Sequence, residues 1–267
     1  MKRFSLARLS LPAYVLLAMS FMLIPIVYTI IFSFNDSKQR TNTQWQGFTL
    51  DKWLGVCSKP EVCEALGNSI FIGVASTLIA TALGTALAIG LVRYKFKSRA
   101  MVNLVLFLPM ATPEIVLGAG LAGLFFNAGV GAGMTTVIIS HVVFCLSFVV
   151  VTVKARVQTL DPVLEEAGRD LYANPNQVFW KITFPLLLPG IAAAALLSFS
   201  LSFDDFIITY FNSGSVDTFP KYVYVAAARG VPAEANVIAS AVFISAILLV
   251  LVAQINGAVK RKRLLKK

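Results

Sequence analysis

Apolar residues run along this chain in six long stretches, at about residues 11–34, 67–92, 100–126, 135–153, 185–210 and 236–258. Each is close to or above the ~20 residues that a helix needs to cross a bilayer core of about 30 Å. Of the segments between them, 93–99 and 127–134 are short, and 35–66, 154–184 and 211–235 are long. The pattern predicts an all-α membrane protein of six transmembrane helices, built as a single domain over 1–267 with no linker or internal repeat. The first stretch follows Lys2, Arg3 and Arg8 as a signal peptide would. It is too long for the apolar part of one and no small-residue cleavage site follows, so it reads as a retained span.

Small residues and prolines refine the picture. Ala80, Gly84 and Ala88 recur every four residues in the second stretch and permit close helix–helix approach. In the third, Pro109 and Pro113 predict a kink or break midway, followed by the small residues Gly118, Gly120 and Gly123. Residues 127–134 form a tight uncharged turn. Within 35–66, the piece holding Trp45 and Trp53 reads as an interfacial segment or short helix on the bilayer surface.

With 57% hydrophobic and 13% charged residues and a mean hydropathy of +0.78, the chain lies outside the range of soluble domains. Of its 23 Lys and Arg, all but Lys38, Arg40, Lys52, Lys59, Lys221 and Arg229 fall at the two ends or in 93–99 and 154–184. Positive residues collect on the cytosolic side, which predicts that both termini are cytosolic. The net charge of +10 follows from that bias and from headgroup attraction, and gives no support to nucleic-acid binding. Cys57 and Cys63 share an outer loop, where a bridge and two free thiols are equally open, while Cys145 lies in the fourth stretch. No phosphate-binding G-x-x-x-x-G-K-[ST] loop occurs, one histidine does not make a metal site, and no nucleophile–base pair stands out. The chain therefore reads as a non-enzyme without cofactor, and energy for any transport must come from another polypeptide.

The polar island from Leu164 to Pro189 is the most structured loop. Asp161 before Pro162 is an N-cap with proline in the first turn, so a short helix should run to about Leu171. Tyr172-Ala173-Asn174-Pro175 makes a turn, and a second helix starts over Gln177–Thr183. A helix–turn–helix on the cytosolic face has the geometry of a docking knob.

Three acids lie inside predicted spans, Glu114, Asp204 and Asp205, and no basic residue lies in any span to pair them. An ionised acid near the bilayer centre costs roughly 3 kcal/mol, so these must face protein or water. Counted from the inner ends of their spans, Glu114 and Asp204 sit at roughly 21 and 28 Å depth. Two readings stand: a negative ring that attracts a cationic substrate, or carboxylates that bond backbone groups at a helix break or reach the outer interface. Adjacent residues on a helix point about 100° apart, so one of Asp204 and Asp205 faces a pathway at most. His141 reads as a neutral histidine bonded across the bundle, and Ser198, Ser200 and Ser202 as back-bonded to their own helix.

The 164–189 segment resembles the signature loop of permease subunits of binding-protein-dependent ABC importers, roughly E-A-A, three residues, G, nine residues, I-x-L-P. Glu166, Ala167 and Gly168 stand at the triplet, Tyr172 at the glycine, and Ile182 to Pro185 at the last four positions. Further pieces resemble the spermidine/putrescine branch, among them Trp45-Gln46-Gly47-Phe48-Thr49, Thr112-Pro113-Glu114-Ile115-Val116 and Leu197-Ser198-Phe199 leading to Asp204-Asp205. The resemblance implies the type I ABC importer permease fold in a bacterial inner membrane. It implies a homologous second permease subunit, two copies of a cytosolic ATPase that hold ATP and magnesium, and an extracytoplasmic substrate-binding protein. It also implies that Glu166, Ala167, Gly168, Tyr172, Ile182 and Pro185 couple to the ATPase, with Glu114, Asp204, Asp205 and Trp45 handling a polyamine. Because Asp-Asp also occurs at this place in iron importers, a ferric or other small-solute importer is the alternative, and an ATP-independent cation-coupled carrier is a more distant one.

Overall fold

Prolines and acids, more than hydropathy, decide where the helices of this chain end. The computed structural model describes residues 6–39, 41–228 and 230–264, with the side chains of 6–10, 249–250, 253–254 and 256–264 left outside. Several basic residues on which the orientation rests, including Lys2, Arg3, Arg40, Arg229 and those of the C-terminal run, thus lie outside the described residues or side chains. Every regular element among the described residues is helical. They are α1 (Leu6–Phe32), α2 (Asp51–Leu54), α3 (Pro60–Arg93), α4 (Arg99–Ala111), α5 (Glu114–Asn127), α6 (Met134–Gln158), α7 (Val163–Asp170), α8 (Pro175–Val178), α9 (Phe184–Phe203), α10 (Ile207–Asn212), α11 (Phe219–Ala227) and α12 (Ala233–Leu264). Among the described residues, four helices are long and apolar enough to cross a membrane: α1 from Leu11, α3, α6 and the continuous Pro175–Phe203; α4 and α5 make a fifth if they count as one.

Three expected spans differ from the pattern. The stretch 100–126 is no straight helix, since α4 and α5 meet at 110° across Thr112 and Pro113. At ~1.5 Å per residue neither half alone crosses the bilayer core, so a depth for Glu114 counted along one axis does not hold. The break follows from Pro113, which lacks an N–H and disfavours the helical conformation of Thr112, whose ψ is 132°. The fifth stretch is interrupted at 204–206, between α9 and α10. The fourth continues past residue 153 to Gln158, carrying Lys154 and Arg156 on the helix. Within the described part of 35–59, only Asp51–Leu54 and a short turn at Val56–Ser58 are helical, and Trp45 lies in irregular chain.

Residues Glu64–Tyr222 form one compact unit and the two flanking parts of the chain the other. The first is organised around α6, whose Val149, Val153 and Cys145 are fully buried with Ala80 and Ala88 of α3 and Leu187 and Ala194 of α9. The expected small-residue face does what its spacing implies. A Cβ on Gly84 would stand 2.6 Å from a Val149 methyl, so α3 approaches α6 closely only because that atom is missing.

In the other unit α1 packs on α12, and Asn35 arranges the loop that follows α1. Its side chain donates to Asn42 Oδ1 and Gln44 O, both at 2.7 Å, and accepts from the Gln46 amide at 2.7 Å. Cys57 and Cys63 are joined in a disulfide. Inside the loop it closes, Lys59 donates to Glu234 Oε2 at 2.9 Å, and Lys52 stands 3.5 Å from Oε1. Burial pushes the Glu234 carboxyl up, but the Lys59 hydrogen bond, its own backbone amide and the two ammonium charges hold it below the ordinary range. A depressed folded value adds stability above the unfolded value of about 4.3 and loses it as pH falls through the folded one. Thermal unfolding of the wild type should therefore shift down on acidification below about pH 4, a shift that Glu234→Gln lacks.

Candidate translocation and coupling sites

The break between α9 and α10 is made by Asp205. Aspartate competes with helical hydrogen bonding and favours helix starts. Its Oδ2 accepts from the Thr209 amide at 2.8 Å and the Thr209 hydroxyl at 3.0 Å, and Oδ1 from the Ile208 amide at 3.3 Å. His141 of α6 adds Nε2 at 3.2 Å from Oδ2, and its Nδ1 lies 2.6 Å from Ser202 Oγ. Nε2 also lies 3.0 Å from Thr209 Oγ1, whose own hydroxyl donates to Oδ2, so the Nε2–H donates toward Thr209 Oγ1 and the carboxylate while Nδ1 accepts from the Ser202 hydroxyl. Ser202 in turn meets Ser76 of α3 at 2.9 Å. One carboxylate thus caps α10 and ties α3, α6 and α9 together. His141 is bonded across the bundle as expected, whereas Ser202 bonds across helices rather than back to its own. Asp205 is buried, and its bonds to the Ile208 and Thr209 amides are those of a carboxylate at a helix break.

Asp204, one residue earlier, is exposed, as is Glu114. Glu114 opens α5, where the exposed amides of a first turn favour negative charge. Neither Glu114 nor Asp204 makes an ion pair among the described residues. The elements that carry them are packed together. A Cβ on Gly118 would stand 3.2 Å from the Ile208 backbone, and Asn212 Nδ2 donates to Gly118 O at 3.1 Å, so α10 lies directly on α5. Glu114 thus opens α5 at one helix break, and Asp204 lies at the other, just before α10. Among the described residues no three His, Cys, Asp or Glu side chains are placed to hold a metal ion. Trp45 lies in the other unit, half exposed, with its ring edge-on to Phe32 at 6.1 Å.

The helix–turn–helix forms at the expected place. Asp161 Oδ1 accepts from the Val163 amide at 3.0 Å. Asn174 and Gln177 form a reciprocal cap at the start of α8, each side chain taking the other's amide at 2.9 and 3.0 Å. The second helix starts at Pro175 and runs on through Phe203, with a wide five-residue turn at Phe179–Thr183. Pro185 explains that turn, because it cannot donate to the carbonyl four residues back; the Phe184 amide reaches Phe179 O instead.

Tyr172 takes the left-handed conformation itself, at φ 58°, and is 98% exposed. The Ala173 amide bonds Gly168 O at 3.2 Å and the Tyr172 amide bonds Arg169 O at 2.9 Å, the two bonds that close a helix through a left-handed residue. Asn174-Pro175 caps the next helix and does not make the turn. The left-handed region costs a side-chain-bearing residue about 1–2 kcal/mol. Tyr172→Gly should recover about 1 kcal/mol of it, read as slower hydrogen exchange at the Tyr172 and Ala173 amides.

Glu166 and Ala167 are exposed on α7, while Gly168 is buried, with Ile182 Cδ1 2.6 Å from where its Cβ would be. The acid that anchors the knob is the neighbour, Glu165. It accepts from Arg93 Nη2 of α3 at 2.9 Å and from Thr183 Oγ1 at 3.2 Å. Sequence reading assigned it no role, although adjacent acids on a helix diverge and only Glu166 was needed for a partner.

Long apolar helices, two of them broken at acids, with a polar helix–turn–helix between two of them, define a membrane permease. Residues 80–264 match the family of binding-protein-dependent transport system inner membrane components. The chain belongs to that family and is a multi-pass permease component of an ABC transport system. It is 34% identical over 244 residues to the spermidine/putrescine transport system permease protein PotC of Escherichia coli (strain K12), covering 91% of this chain and 92% of that one. The putrescine transport system permease protein PotI of the same strain is 34% identical over 234 residues, covering 84% and 82%. Among solved structures, a bacterial ABC transporter that imports the acidic polysaccharide alginate matches with TM-score 0.65 at 18% identity, covering 95% of this chain and 99% of that one. The MetNI methionine ABC transporter in an inward-facing form matches with TM-score 0.57 at 19% identity, covering 76% and 94%.

Proposed function

We propose that this chain forms half of the pathway of an ATP-driven importer for polyamines of the spermidine/putrescine class. The observation that carries the cargo assignment is the exposed pair Glu114 and Asp204 at two helix breaks, without a cation of the protein beside either among the described residues. A polycation supplies the missing charge, and the kinship to PotC and PotI points to the same class of cargo. In this reading six segments cross the inner membrane, α4 and α5 acting as one broken crossing, and both termini are cytosolic. A binding protein delivers the substrate to the outer face, including the loop with Trp45. A homologous second permease completes the pathway, and two ATPase subunits, which bind ATP and magnesium, grip Glu166, Ala167 and the exposed turn at Tyr172. Gly168, Ile182 and Pro185 shape the knob from within. ATP-driven closure then moves α7 and, through Glu165, α3 and the Pro175–Phe203 helix.

Radiolabelled spermidine uptake in a deletion strain complemented with this chain tests the reading. Competition by putrescine and not by ferric citrate is expected; inhibition by ferric citrate alone would transfer the assignment to iron. Failure of an ATPase subunit to co-purify would sink the coupling scheme.

A further inference from the structure

We infer that the chain holds an anionic phospholipid at the end of α3, its phosphate between Arg93 and Arg169 and an acyl chain along α3. Two adjoining cavities carry this. The first, about 280 Å³, is lined by Arg93, Tyr94, Glu165, Arg169 and Thr183 among others. Two guanidinium groups face it against one carboxylate. Glu165 already accepts from Arg93 Nη2 and Thr183 Oγ1. The Arg93 Nε–H is buried and has no hydrogen-bond partner, and Arg169 makes no ion pair among the described residues. An unsatisfied guanidinium N–H beside a second arginine calls for an acceptor, and a phosphate oxygen is the acceptor that two such groups favour.

The second cavity, about 420 Å³, is an apolar groove along the last turns of α3, lined by Leu87, Gly90, Leu91, Tyr94, Phe96 and Val102. Tyr94 lines both, so the two cavities flank the same side chain. Gly90 keeps the floor low, with nothing within 4 Å of where a Cβ would point. Lys95, Lys97 and Arg99 follow immediately and are at least partly exposed, as befits the border of a membrane carrying anionic lipid. A free anion would satisfy the arginines and leave the groove empty, and an acidic side chain of a partner would do the same. An amphiphile with a phosphate at one end and a hydrocarbon chain at the other fits both. The occupant touches the Arg93–Glu165–Thr183 strut, so lipid composition would bear on coupling.

Native mass spectrometry of the full chain in mild detergent, titrated with dioleoylphosphatidylglycerol or dioleoylphosphatidylcholine, tests this apart from any transport reading. The anionic lipid should be retained about fivefold better, the factor that one arginine–headgroup contact confers. Arg169→Gln should abolish that preference, and Gly90→Leu should weaken both lipids alike, while both variants keep the wild-type unfolding temperature. Equal retention of the two lipids, an undiminished preference in Arg169→Gln, full competition by glycerol phosphate, or displacement of the lipid on adding the ATPase subunit would each overturn the assignment.

Discussion

Asp204→Asn should cut spermidine uptake tenfold or more in a fully assembled transporter, whereas Asp205→Ala should remove the folded protein. The two carboxylates are neighbours in the chain with opposite surroundings. Asp204 is exposed and makes no ion pair among the described residues, so the variant removes charge and little else. A carboxylate a few ångströms from a substrate ammonium is worth about 1–4 kcal/mol in a partly hydrated path, and the lower end already gives most of a tenfold effect. Asp205 is 7% exposed, and truncation strands the Ile208 and Thr209 amides and the Thr209 hydroxyl and removes the charge facing the His141 ring. Loss of a buried charge-assisted cluster of this kind costs about 3–5 kcal/mol, a large share of the stability of a domain. Uptake per assembled complex and the yield of monodisperse protein separate the effects. An Asp204→Asn transporter with wild-type uptake would remove the substrate role, and a stable, monodisperse Asp205→Ala would remove the capping role.

Glu165→Ala should leave an ATPase that turns over without moving substrate. Its carboxylate is the only acid among the described residues paired with Arg93, and it also takes the Thr183 hydroxyl, so α7 is tied to two membrane helices through one group. Removing it leaves the Arg93 guanidinium partly buried and unpaired, with a local cost of about 1–3 kcal/mol, too little to unfold the bundle. Glu166 and Ala167 stay exposed for the ATPase, so docking should persist. ATP hydrolysis near wild type with uptake reduced on the order of tenfold is expected from parallel assays on reconstituted complex. Equal loss of both activities would mean that Glu165 serves assembly instead.

Much of this protein follows from local chemistry, which a sequence displays directly. Long apolar stretches have to be helices in lipid, because no other local structure satisfies the backbone there. Pro113 marks a break, the Ala80-Gly84-Ala88 spacing marks a contact face, and Asp161 before Pro162 marks a helix start; each depends on a few neighbouring residues. Tertiary structure alone decided the rest. Pro113 marks the break, but the 110° angle at which α4 and α5 meet is seen only in the folded chain. That Asp205 is buried and Asp204 is not depends on His141, more than sixty residues away in the chain. The choice of Glu165 over Glu166 as the strut depends on where Arg93 ends α3. Hydrogen bonds and charges act over a few ångströms, so the role of an acid is set by which distant side chain folding brings within that reach.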